Sequence, residues 1–156
     1  MFKNKHYFFI LIGIFICCLS LSSVTFATQN NSLDTTIDTY YKTVRENQKQ
    51  LLSILEKGYS NNTTQKSNDK LIGQLSIYSG NVDNFSNKLV HETINSSSEK
   101  EQNSKLQTLV VASGYLKFIK DQINEFLIAE DSLTQFSLLK DILQANSLLN
   151  QILAYL

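Results

Sequence analysis

Lys42, Arg45 and Lys49 are the charged residues whose spacing comes closest to a chemical device in this 156-residue chain. On a helix, at about 100° per residue, they fall within about 60° of one another. Three cations in two turns suit an anionic glycan, an anionic lipid head group or an acidic protein partner, with Arg45 able to make the bidentate contact. Asp38 and Glu56 continue the same stripe, and Glu46 stands four residues from Lys42. Mixed charge at that spacing also fits a solvated face held by weak pairs.

The residues that would carry catalysis are missing from the sequence. His91 is the single histidine beyond the N-terminal segment, and the position three residues upstream of it is Lys88, so the Glu-x-x-His pairs of a di-metal bundle are absent. The serines have no second imidazole around which a triad could form. Asp121 and Glu125 lie one helical turn apart, but acid-base work would need one of them buried and shifted, and both project away from the apolar seam. The expectation is therefore a protein that is not an enzyme and holds no metal or cofactor.

Met1 to Ala27 reads as an export signal. Lys3 and Lys5 precede an apolar run from Phe8 to Leu21, and a short polar stretch ends in Thr25-Phe26-Ala27, which suits a signal peptidase. Cleavage after Ala27 would make the protein secreted or periplasmic. The rival is an uncleaved anchor, because Phe8 to Ala27 reaches the length of about 20 residues that a spanning helix needs. Ser20, Ser22, Ser23 and Thr25 weaken that run. Both cysteines, Cys17 and Cys18, lie in the segment removed, so residues 28–156 must fold without a disulfide. Loss of Lys3 and Lys5 leaves twelve basic residues against fourteen acidic ones, a balance that argues against nucleic acid as a partner.

The rest of the chain has no proline, and its apolar residues recur at helical spacing. Helices are expected over about 33–59, 68–94, 98–129 and 132–156. The first carries Ile37, Tyr40, Val44, Leu51 and Leu55 on one face, and the second a strict alternation of four and three residues through Leu71, Leu75, Tyr78, Val82, Phe85 and Leu89. Ser98 three residues ahead of Glu101 forms a capping box for the third, and Glu130-Asp131-Ser132 supplies the N-cap of the fourth. Similar lengths and short polar connections predict an all-α fold, an antiparallel, up-down-up-down four-helix bundle filling residues 28–156 behind the signal peptide.

The apolar stripes of these helices are unequal. Those of the first two span about 160° or less, whereas that of the fourth spreads over about 200°, with Leu148 outside even that; in the third, Val111 and Phe118 lie off the main seam. A central hairpin covered on several sides would explain the width. The alternative is that the surplus surface contacts a second subunit, a partner helix or an apolar ligand, and the expectation drawn from it is self-association through Phe118, Leu148 and Ile152. Asn146 stands among the apolar residues of the fourth helix, where a lone amide commonly sets register.

The expected function is that of an exported interaction protein, an adhesin, effector or inhibitor-like module acting by surface contact, as a homo-oligomer. The alternatives are a carrier of a small apolar ligand in the bundle core near Asn146 and, if the signal stays attached, a membrane-anchored helical sensor domain. Sequencing the N-terminus of the exported protein should return Thr28 as its first residue; Met1 there would instead mark a membrane-tethered bundle.

Overall fold

The computed structural model describes residues 33–60, 65–95 and 100–156. The Met1 to Ala27 signal, the connection at Asn61 to Thr64 and the Ser98 half of the capping box lie outside the described residues. The chain divides into two compact units, Met1–Thr36 and Ile37–Leu156, and the contacts below all lie within the second.

Four helices and no strand occur among the described residues. They are α1, residues 33–60; α2, Gln65–Asn95; α3, Lys100–Ile128; and α4, Ser132–Leu153. The chain is helical for the reason its sequence suggests: with no proline, and with apolar side chains at intervals of three and four, each helix turns one stripe inward. Ile37, Val44, Leu51 and Leu55 of α1 and Leu71, Leu75, Val82 and Leu89 of α2 are buried. In α3, Leu106, Leu109, Ala112, Leu116, Ile119 and Ile123 form an unbroken buried line. From α4 come Ile142, Ala145, Leu149 and Leu153.

Cross-helix bonds define the pairing. The Asn68 amide donates to the Leu127 carbonyl at 3.0 Å, and Ser86 meets Ser113 at 3.1 Å, so α2 runs antiparallel to α3. The Ser113 hydroxyl donates to the Val110 carbonyl at 2.7 Å, which leaves Ser86 as the donor in the buried serine pair. At one end of α1 the Tyr40 hydroxyl donates to Glu92, late in α2; at the other, Gly58 faces Leu71, early in α2. Arg45 and Gln48 reach Asn150 and Asn146 of α4, again antiparallel. The pattern is consistent with a four-helix bundle.

Gly58 is the one glycine among Gly58, Gly73, Gly80 and Gly114 with no room for a side chain. A Cβ built there would lie 2.6 Å from Cδ2 of the buried Leu127, 3.6 Å from Phe126 and 3.8 Å from Leu71, so the absent side chain lets α1 close against α2 and α3. Gly73 and Gly80, exposed in the interior of α2, would meet nothing within 4 Å. Gly73→Ala and Gly80→Ala should each raise unfolding stability by about 0.5–1 kcal/mol through helix propensity. Gly58→Leu should lower it by about 1–3 kcal/mol through overpacking. Urea denaturation of the three variants checks the contrast; equal effects would mean that the close approach at Gly58 carries no strain.

Candidate functional site

A cleft opens in the surface along the hairpin of α3 and α4. Its turn is short because each end is capped: Asp131 sits in extended backbone (φ −103°, ψ 144°) and its carboxylate accepts the Thr134 N–H at 2.8 Å, while the Gln135 amide donates to the Ala129 carbonyl at 2.8 Å. The expected N-cap is therefore Asp131 itself. Accepting the hydrogen bonds of Thr134 holds its carboxyl below the usual carboxylate range.

From this hairpin Val111, Gly114, Tyr115 and Phe118 of α3 and Asp141, Gln144, Ala145 and Leu148 of α4 line a cleft of about 490 Å³. Both rows follow the spacing i, i+3, i+4, i+7, so each is one helix face about 10 Å long. Because the helices are antiparallel, Phe118 and Asp141 stand at one end of the cleft and Val111 and Leu148 at the other. Gly114 and Ala145 leave room between the rows. A Cβ on Gly114 would meet no atom within 4 Å.

Of the three apolar residues expected to share an interface, Phe118 and Leu148 line this cleft together. Ile152 is half-buried one turn beyond Leu148 and is not part of the lining. The extra width of the α4 stripe is not covered by the protein's own helices: Phe136 is 70% and Leu143 54% exposed, and on α3 Val111 is 52% and Phe118 45% exposed. Leu133, at the first turn of α4, is 82% exposed.

The three cations of α1 divide. Lys42 and Lys49 are exposed, but the Arg45 guanidinium donates to Asn150 Oδ1 at 2.6 Å, to Gln48 Oε1 at 3.3 Å and to the Tyr41 hydroxyl at 3.2 Å, and lies 5.4 Å from the centre of the Tyr41 ring. Gln48 completes the group by donating to Asn146 Oδ1 at 2.6 Å and Asn150 Oδ1 at 3.0 Å. Asn146 is thus part of a polar clasp between α1 and α4. Asn47 and Gln48 are buried in the stretch of α1 between Val44 and Leu51, and Asn47 donates to the Thr43 carbonyl at 2.9 Å.

The remaining ionisable groups serve the helix pairs. Asp83 of α2 receives Lys117 at 3.6 Å and Lys120 at 3.5 Å from α3, and Lys120 also meets Asp121 at 3.2 Å. Asp121, Glu125 and His91 are exposed. Among the described residues, no group of three or more histidine, cysteine, aspartate or glutamate side chains gathers where it could hold a metal ion. Comparisons with family models, with curated proteins and with solved structures find no match.

Tyr40 is the ionisable group most altered by its surroundings. Its ring packs edge-on against Phe85 at 5.7 Å, with the Lys88 ammonium 5.6 Å from its centre, and its hydroxyl donates to Glu92. Burial, the hydrogen bond to Glu92 and the charge of Glu92, in that order, push the phenol well above its ordinary value. A raised folded pKa stabilises the fold at every pH below the unfolded value of about 10, and that contribution is lost as pH rises from there through the folded value. Ultraviolet titration should show one phenol lagging behind the rest, and Tyr40→Phe should remove that laggard. A titration unchanged in Tyr40→Phe would break the assignment.

Proposed function

We propose that this protein is an exported, antiparallel four-helix bundle that acts by surface contact rather than catalysis and associates with its own copies through the α3–α4 face around Phe118, Leu148 and Ile152. The observation that carries the reading is the apolar surface left open on that hairpin: the cleft containing Phe118 and Leu148, with Val111 exposed at its edge. Water disfavours such contiguous apolar area, and its usual purpose on a folded domain is to meet another surface. Export is supported by the order of charged, apolar and polar stretches from Met1 to Ala27. No helix among the described residues is long and apolar enough to cross a membrane.

Self-association at this face requires no cofactor. The contact gains most from burying the half-exposed aromatic Phe118, since large side chains at the centre of a contact dominate its energy. Sedimentation velocity of the full chain should show mass rising with concentration. Phe118→Glu and Leu148→Glu should each weaken the association roughly tenfold or more, about 1.4 kcal/mol per tenfold, with helix content retained. A wild-type chain that stays monomeric at its highest soluble concentration would overturn the proposal.

A further inference from the structure

The α3–α4 cleft has one formally charged side chain in its lining, Asp141, exposed and without an ion-pair partner among the described residues. A second surface of α4 has the opposite character. Leu133, Phe136, Lys140 and Leu143 follow one another at intervals of three, four and three residues, and all four are exposed. That is the seam of a helix built to lie against another helix, with a single cation at one seam position. Lys140 likewise has no ion-pair partner among the described residues. At about 100° per residue the centre of this seam lies roughly 120° around α4 from the residues that line the cleft, so the two surfaces face different ways.

We propose that the cleft of one copy receives the Leu133, Phe136, Lys140 and Leu143 seam of a second copy, in a head-to-tail contact that pairs Lys140 with Asp141. This deepens the self-association proposed above and rests on it. Three features make the two surfaces complementary. The cleft walls, at i, i+3, i+4 and i+7, and the seam, at i, i+3, i+7 and i+10, are both rows along one helix face, so the ridge of one can lie in the groove of the other. Gly114 and Ala145 leave space between the walls for a side chain the size of Phe136. The only formal charges on the two surfaces are opposite, and an ion pair at the edge of an apolar contact fixes register and direction more than affinity.

Because donor seam and acceptor cleft are different patches of one chain, the contact does not use itself up. Each copy that offers its seam still holds an open cleft, and the assembly grows as a chain or closes as a ring, unlike a two-fold dimer in which one patch meets itself.

Two variants separate the surfaces. Gly114→Leu fills the cleft from a position where the added side chain enters open space and helix propensity improves. Phe136→Glu together with Leu143→Glu removes the seam at exposed positions. In sedimentation velocity the wild-type chain should form species larger than a dimer, and each variant alone should run as a monomer with unchanged circular dichroism. An equimolar mixture of the two should form a dimer and stop there, since one partner lacks a free cleft and the other a free seam.

A mixture that stays monomeric while the wild type associates overturns the head-to-tail contact and leaves self-association standing. A wild type that stays monomeric overturns both. Charge exchange gives a measurement independent of packing: Lys140→Glu alone and Asp141→Lys alone should each weaken association roughly three- to tenfold at low salt, and the double variant should recover it. Failure of the double variant to recover would overturn the pairing of these two residues.

Discussion

Leu106, Leu109, Ala112, Leu116, Ile119 and Ile123 of α3 have no accessible surface or almost none, and α3 packs against both α2 and α4. With neither cysteine among the described residues, no disulfide holds them together, so the tertiary structure depends on keeping this line of side chains dry. Dispersion and the release of water are strong but have no direction. An apolar line alone would let the neighbouring helices slide by a turn, or rotate, at small cost. What the molecule adds to the α3 line is a set of polar bonds at its margins.

Those bonds act as register marks. The Ser86–Ser113 pair is buried within the α2–α3 seam, where a slip of one turn would take from the Ser86 hydroxyl the acceptor it meets on α3. The Arg45, Gln48, Asn146 and Asn150 clasp does the same for α1 and α4, and Tyr40 with Glu92 for α1 and α2. For the buried members, Ser86, Gln48 and Tyr40, a polar group left unpaired costs more than forming the bond returns, so their effect on specificity exceeds their effect on stability. Each helix pair other than the covalently short α3–α4 hairpin is marked in this way. That hairpin is aligned instead by its turn, where the Asp131 cap starts α4 three residues after α3 ends.

The sequence makes the helical class and the buried seams legible because both follow from the spacing of apolar residues, a property of the chain alone. Val44, Leu51, Val82, Leu89, Leu116, Ile123 and Leu149 sit on the stripes read from that spacing and are fully buried. The cleft is legible only in part. Phe118 and Leu148 stand off their seams and reveal themselves, but Gly114 contributes by having no side chain and Asp141 by lacking a partner, and neither property has a signature in a single sequence. Arg45 misleads for a related reason. Its spacing groups it with Lys42 and Lys49, whereas the position of α4 decides that it turns toward Asn150. The polar clasp did leave a trace, since Asn47 and Gln48 interrupt the apolar stripe of α1 between Val44 and Leu51, and such an interruption in a buried stripe asks for a polar partner on the facing helix.

The width of the α4 stripe illustrates how one observation in a sequence divides when geometry is added. A helix of a bundle needs one buried face, and Ile142, Ala145, Leu149 and Leu153 supply it. Of the other apolar residues, Leu148 lies toward α3, and Leu133, Phe136 and Leu143 are exposed away from the cleft. A single broad patch would favour a two-fold contact between identical faces, or a ligand lying flat on it. A cleft beside one row and exposed side chains along another favour a contact between unlike faces, since a side chain buries more area in a hollow than against another exposed row. The opposite charges at Lys140 and Asp141 point the same way. These are neighbours in sequence, yet they diverge by about 100° around the helix and have no ion-pair partner among the described residues, which suits the pairing proposed between two copies.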